Sequence, residues 1–219
     1  MIIMAEHAGF CFGVDRAVKL LIAHIESGRK ACTLGPLIHN PDFIRSLEEK
    51  GVSIVSAPEE TPPDTTLFIR THGIPKEVSE RIAALGVDCT DVTCPFVKRI
   101  HAIVEKQSAA GDIIVITGDA DHPEVEGIRS FAGERVFVVK DASGLENLIR
   151  SGRIPASAPV SLVSQTTFDA KEFKNCKKIA KLLCTNVKLF DTICNATALR
   201  QAEAERLSGE NDMMIVIGG

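Results

Sequence analysis

The sequence predicts an α/β fold of three related units, each with a small, mainly parallel sheet, set with pseudo-threefold symmetry around a common centre. The third unit is predicted to be incomplete. Three observations predict this. Short apolar runs alternate with amphipathic stretches along the chain, as strands and helices do around a parallel sheet. Cysteine and glycine recur at one fixed interval, as Cys11–Gly35, Cys94–Gly118 and Cys194–Gly218. A histidine follows the glycine at the same offset in the first two pairs, at His39 and His122.

Each unit follows from its residues in order. In the first, over residues 12–94, Val14, Ala17, Val18, Leu21, Ile22 and Ile25 recur with helical periodicity, and Gly28 can end that helix. ACTLGPLIHNP then reads as a short strand and a turn. RSLEEKG, VSIVS and TTLFIRTHG read as helix, strand and strand. In the second unit, 95–193, Pro95 suits a first helical position, and Val97, Ile100, Ile103 and Val104 form one apolar face. DIIVITGD is a continuous apolar strand of the kind buried in a parallel sheet. EGIRSFAGE, RVFVVK and VSLVSQTT continue as helix, strand and strand. The partial third unit, 194–219, offers the helix NATALRQAEAERLSGEN and the strand DMMIVIGG. The strand within residues 1–11, MIIMAEH, is expected to join its sheet.

Composition excludes several classes. The chain has 219 residues, 45% hydrophobic and 25% charged, which describes a folded globular protein rather than a disordered one. Its formal net charge of −4 gives no overall attraction to nucleic acid or an anionic membrane. The N-terminus lacks a basic region followed by a long apolar run, and no segment approaches the ~18–20 apolar residues that span a bilayer. A cytoplasmic location is the expectation. The count of 7 cysteines is odd, and no C-x-x-C pair occurs. In a reducing compartment, regularly spaced cysteines point to metal or redox chemistry rather than disulfides.

Parallel sheets bind ligands beyond the carboxyl ends of their strands. Cys11, His39, His72, Cys94, His122, Thr166 and Cys194 all follow predicted strands. Three thiolates suggest a metal or cluster with one coordination position left open, and each precedes a predicted helix whose dipole favours negative charge. Zinc on three cysteines fits the same pattern. Cys32, Cys89, Cys176 and Cys184 read as core residues. His39, His72 and His122 can offer donors to a phosphate or diphosphate, whereas His7, His24 and His101 read as structural. In DHPEVEG, His122 can cap a helix that Pro123 opens, which puts Glu124 in the first turn as a candidate general acid. Glu126 points elsewhere around the helix. Gln165, Thr166 and Thr167 are candidate hydrogen-bond donors to a ligand.

GFCFGVDRAV, LGPLIHNP, RTHGIP, DVTCPFVKRIH, DHPEVEG, SQTTFD and DTICNATALRQ, in this order, resemble 4-hydroxy-3-methylbut-2-enyl diphosphate reductase, the last enzyme of the non-mevalonate isoprenoid route. The resemblance covers nearly the whole chain. It implies a [4Fe–4S] cluster held by Cys11, Cys94 and Cys194 with its fourth iron open. It also implies a diphosphate pocket lined by His39, His72 and His122, a substrate contact at Thr166, and a proton relay through Glu124. The implied reaction is a two-electron reductive dehydroxylation of an allylic diphosphate to isopentenyl and dimethylallyl diphosphate, with flavodoxin or ferredoxin as electron donor. Relatives of this family continue past residue 219 with a Ser/Asn motif, so a truncated chain that binds diphosphate poorly is expected. A non-catalytic iron–sulfur or zinc-binding module on the same scaffold, or an inactive fragment, is the alternative reading.

Overall fold

Valine- and isoleucine-rich runs form β-strands such as 113–117 and 136–139, and amphipathic stretches form helices that cover the sheets. The structure is a computed structural model that describes residues 2–217. Gly218, the partner of Cys194 in the repeat, lies outside the described residues. The chain divides into two compact units, Met1–Pro95 with Leu199–Gly219, and Phe96–Ala198.

The first unit begins with α1 (Phe12–Glu26), β1 (Lys30–Leu34), α2 (Pro41–Glu48) and β2 (Ser53–Val55). A short 3-10 turn, Pro58–Glu60, leads to β3 (Thr65–Ile69), α3 (Lys76–Leu85) and β4 (Cys89–Asp91). The strands form one parallel sheet in the order β2-β1-β3-β4. Its central strands β1 and β3 are almost wholly buried, as in parallel sheets covered on both faces. Ala31 and Phe68 pack with Ala17 and Leu21 of α1, while Cys32, Leu67 and Ile69 pack with Ile82 of α3.

α4 (Pro95–Ala109) starts directly after Cys94 and leads into the second unit. There follow β5 (Ile113–Thr117), α5 (Pro123–Ser130), β6 (Val136–Val139), α6 (Ala142–Arg150), β7 (Pro159–Ser164), α7 (Ala170–Leu183) and β8 (Asn186–Leu189). The sheet order is β6-β5-β7-β8, again all parallel, so this unit repeats the topology of the first. Ile114, Ile116 and Val163 face Ile100 and Val104 of α4, and Val115 and Leu162 face Leu145 of α6 and Phe173 of α7. Side chains of this size each contribute ~1.5–3 kcal/mol when fully buried.

The predicted third sheet is not formed among the described residues. Helix α8 (Asn195–Glu210) is present, but residues 2–5 and 213–217 are not strands. The physical reason is exposure. Parallel strands are stable when covered on both faces, and here Ile2 is 94%, Ile215 79% and Ile217 91% exposed. Pseudo-threefold symmetry is therefore not observed; what repeats is a twofold recurrence of one sheet topology. No helix among the described residues is long and apolar enough to cross a membrane.

Candidate active site

The repeat extends to individual hydrogen bonds at the carboxyl ends of the strands. In the first unit, the Cys94 N–H donates to the Thr71 carbonyl at 3.0 Å, and the Thr71 hydroxyl donates to the Leu37 carbonyl at 3.1 Å. In the second unit, the Cys194 N–H donates to the Thr166 carbonyl at 2.8 Å, and the Gln165 N–H donates to the Thr117 carbonyl at 2.8 Å. Thr71 and Thr166 thus do the same task, tying the loop after the third strand to the cysteine after the fourth. The Thr71 role was not read from sequence, although its position in RTHG matches that of Thr166 in SQTT relative to the preceding strand.

The cysteines open helices. Cys11 is the N-cap of α1 with extended backbone (φ −73°, ψ 166°), and its carbonyl accepts the Asp15 N–H at 2.8 Å. Cys94 and Cys194 directly precede α4 and α8. A Cβ on Gly13 would lie 2.6 Å from the Cys94 Sγ, so glycine in the first turn of α1 is what lets the Cys94 thiol approach that helix start, two residues from Cys11. Cys11 follows no strand, because residues 2–5 form none. Cys11 and Cys94 belong to the first unit and Cys194 to the second. Among the described residues, no three or more His, Cys, Asp or Glu side chains are gathered closely enough to hold one metal ion.

Gly13 makes a measurable prediction. Gly→Ala inside a helix ordinarily stabilises by about 0.8–1 kcal/mol. At Gly13 the added methyl overlaps the Cys94 sulfur, and overpacking of this kind costs about 1–3 kcal/mol. Gly13→Ala is expected to shift the Cys94 thiol and to lower iron retention after reconstitution. Iron assay against the parent, with thermal melts of both apo forms, checks it.

The other four cysteines are chemically different. Burial pushes the Cys176 thiol up to about 12, with Glu172 and Asp141 adding to the effect. Burial, and then Asp91 and Asp88, push Cys89 up to about 11. Cys32 and Cys184 are raised by burial as well. These stay protonated packing groups, as their positions in the hydrophobic clusters require.

Glu124 is 2% exposed, on the buried face of α5, while Glu126 faces solvent. Its Oε1 accepts the Thr166 N–H at 2.6 Å and its Oε2 accepts the Thr166 hydroxyl at 2.7 Å. Burial raises the carboxyl above its usual range, and the two bonds to Thr166 oppose the rise. The backbone N–H can only donate, which reserves Oε1 as an acceptor. A proton on the carboxyl therefore sits on Oε2, where the Thr166 hydroxyl can turn and accept it. Glu124 and Thr166 form a buried pair able to hold a proton in one defined place.

His122 is the N-cap of α5, and its Nδ1 accepts the Glu124 N–H at 3.1 Å. That bond puts the proton of a neutral ring on Nε2. His39 and His72 lie together in the first unit, ring centroids 4.4 Å apart. Gln165 braces the loop: its Oε1 accepts the Asp119 N–H at 3.1 Å and its Nε2 donates to Thr167 at 3.0 Å. A Cβ on Gly118 would meet Val125 at 2.9 Å and Gln165 Oε1 at 3.0 Å, so this repeated glycine serves close packing. His24 is buried against Phe68, with its Nε2 at 3.2 Å from the Lys30 carbonyl, and His101 stacks on Phe131.

Comparison with known proteins identifies the family. The LytB protein family matches residues 2–219. The 4-hydroxy-3-methylbut-2-enyl diphosphate reductase of Geotalea uraniireducens is 42% identical over 221 residues, covering 100% of this chain and 75% of that protein. The enzyme of the same name from Campylobacter hominis is 44% identical over 220 residues, covering 99% and 75%. A solved (E)-4-hydroxy-3-methyl-but-2-enyl diphosphate reductase, described as the terminal enzyme of the non-mevalonate pathway, is 40% identical with a TM-score of 0.79. It covers 100% of this chain and 76% of its own. The reductase from Plasmodium falciparum shares the fold at 23% identity and a TM-score of 0.87, covering 96% of this chain and 66% of its own. The chain spans about three quarters of the length of the curated relatives it matches, and it belongs to the LytB family.

Proposed function

We propose that this chain catalyses the reductive dehydroxylation of 4-hydroxy-3-methylbut-2-enyl diphosphate to isopentenyl and dimethylallyl diphosphate. Cys11, Cys94 and Cys194 would hold a [4Fe–4S] cluster. The donor set fits: thiolates are the ordinary ligands of such clusters, and each of these opens a helix. The cradle left by Gly13 beside the Cys94 sulfur supports the same assignment. Such a cluster, when bound, supplies two electrons one at a time, with one iron free to act as a Lewis acid.

The chain's own residues manage protons and charge. The reaction consumes two electrons and two protons: one proton leaves with the hydroxyl as water, and the other forms a C–H bond at either end of the allyl group. Glu124, whose pKa burial raises, is assigned to protonating the departing hydroxyl, with Thr166 orienting the carboxyl. His39, His72 and His122 are assigned to the diphosphate, where ring N–H groups pair with anionic oxygens. Flavodoxin or ferredoxin is the proposed electron donor. The observation that carries this reading is the buried Glu124–Thr166 pair in a chain of the LytB family.

The test is anaerobic turnover of reconstituted protein with reduced methyl viologen over a wide range of substrate concentrations. Both product diphosphates are expected by chromatography. Cluster-loaded protein that returns the substrate unchanged, with a cluster spectrum that substrate does not perturb, would sink the proposal.

A further inference from the structure

The face that α8 turns to the N-terminal segment is not the apolar stripe expected of a docked helix. Arg200, Glu203 and Leu207 share one side of it at helical spacing. Glu203 is buried, at 9% exposure, and its two carboxylate oxygens accept the Glu6 N–H at 2.7 Å and the His7 N–H at 2.9 Å. Arg200 Nε donates to the His7 carbonyl at 3.0 Å, and its Nη2 donates to the Gly9 carbonyl. The His7 and Glu6 N–H groups hold the Glu203 carboxyl below the usual carboxylate range, with Arg206 3.9 Å away on the same helix.

These bonds have a structural reason. Residues 6–9 lie in no strand or helix and are exposed, so water could serve their backbone groups, yet α8 side chains bond four of them. Gly9 turns the chain with φ +84°, and Cys11 follows two residues later. Downstream, Cys11 is fixed as the N-cap of α1. Upstream, described residues 2–9 form neither strand nor helix, and side chains of α8 bond the segment. Two charged side chains bonding four backbone groups are more than a helix–loop contact needs for cohesion alone; a leucine or methionine face would pack the segment without fixing its path.

We infer that Arg200 and Glu203 are positioning residues that clamp the Glu6–Gly9 segment and so set the direction from which the Cys11 thiol is presented to its cluster. The inference rests on the reading of Cys11 as a ligand. It also gives the helix that follows Cys194 a task at a second proposed ligand. Glu203→Ala leaves two N–H groups without their acceptor, whereas Glu203→Gln keeps one acceptor oxygen and turns an amide N–H₂ toward the other. Arg200→Lys keeps the charge and loses the two-pronged grip on two carbonyls.

The test uses the full chain. The apo protein is pulsed with iodoacetamide, and modification of Cys11, Cys94 and Cys32 is read by mass spectrometry in the same sample. Glu203→Ala is expected to raise the Cys11 rate about tenfold or more, the opening that loss of charge-assisted hydrogen bonds allows. Cys94 and Cys32 keep their rates, and Glu203→Gln falls between. In reconstituted protein, the same variants should shorten cluster lifetime toward a chelator and alter the electron paramagnetic resonance signal of the reduced cluster. Arg200→Lys and Arg200→Met, at an exposed residue, provide the same reading if Glu203→Ala does not fold. An unchanged Cys11 rate with an unchanged cluster lifetime in folded variants overturns the clamp. So does an equal acceleration at all three cysteines, which is general loosening. A parent protein that takes up no cluster overturns the ligand reading of Cys11 and the purpose given to the clamp, and the alkylation rates then report the clamp separately.

Discussion

Glu124→Gln is expected to lower turnover about 10²- to 10⁴-fold, the usual contribution of a positioned general acid, with little change in substrate affinity. The amide is nearly isosteric. Its oxygen can accept the Thr166 N–H and its N–H₂ can donate to the Thr166 hydroxyl, so the pair persists without a transferable proton. Thr166→Val should give a smaller loss, because it keeps the backbone donor and removes only the hydroxyl bonded to Oε2. Steady-state kinetics that separate kcat from KM check both. The same substitution has a stability signature of defined sign. Burial raises the Glu124 carboxyl in the folded state, so the native protein holds this proton more tightly than the unfolded chain does. The resulting stabilisation is fully present below the unfolded value near 4.5 and is lost as pH rises through the folded value. Glu124→Gln removes that loss, so melting curves of the variant should gain on the parent across this window as pH increases. A kcat unaffected by Glu124→Gln would remove Glu124 from the proton path.

Cys94→Ser and Cys194→Ser are each expected to abolish cluster retention and to reduce turnover to background. The contrast with the other cysteines is the informative part. Cys176 is fully buried among Phe173, Leu162 and Ala180, with its thiol pushed up to about 12. Cys176→Ser should leave iron content unchanged and cost about 1–3 kcal/mol through burial of a hydroxyl in an apolar site. Iron assay and thermal melts on the four proteins therefore sort ligand cysteines from packing cysteines by opposite outcomes. Iron loss from Cys176→Ser, or retention by Cys94→Ser, would contradict the assignment.

The parts of the fold that were legible in the sequence are those where one physical signal dominates. Strands β1, β3, β5 and β7 lie at sheet centres and are almost wholly buried; β5, IIVIT, reads most clearly as an apolar run. Helices α1 and α4 carry clear apolar faces after a cysteine. By contrast, β4 is three half-polar residues, Cys89–Asp91, and β8 alternates exposed with half-buried positions at a sheet edge. Helix α3, KEVSERIAAL, buries only Ile82 fully. These edge elements owe their form to neighbours rather than to their own pattern.

The described apolar run 213–217 shows the converse. Its β propensity is high, yet propensity forms no strand without partner strands and covering helices.

For the proposed site, the cysteine–glycine register and DHPEVEG single out Cys11, Cys94, Cys194 and Glu124 as candidates because residue type and position speak together there. Gln165, a candidate ligand donor in the sequence, braces the loop in the structure through Asp119 and Thr167. Arg200 and Glu203 carried no signal at all. They sit in a charged helix whose only sequence-level reading is a solvated face, and their purpose depends on a segment almost two hundred residues earlier in the chain.

The central claim is that three cysteines, one before each of α1, α4 and α8, hold an iron–sulfur cluster. Anaerobic purification followed by iron and sulfide reconstitution, absorption spectroscopy and metal analysis tests it most directly. The expected product is a brown protein absorbing near ~400 nm, with about four irons per chain that are lost on Cys→Ser substitution at Cys11, Cys94 or Cys194. A colourless protein that binds zinc through the same three cysteines, or a cluster that survives their replacement, would contradict it.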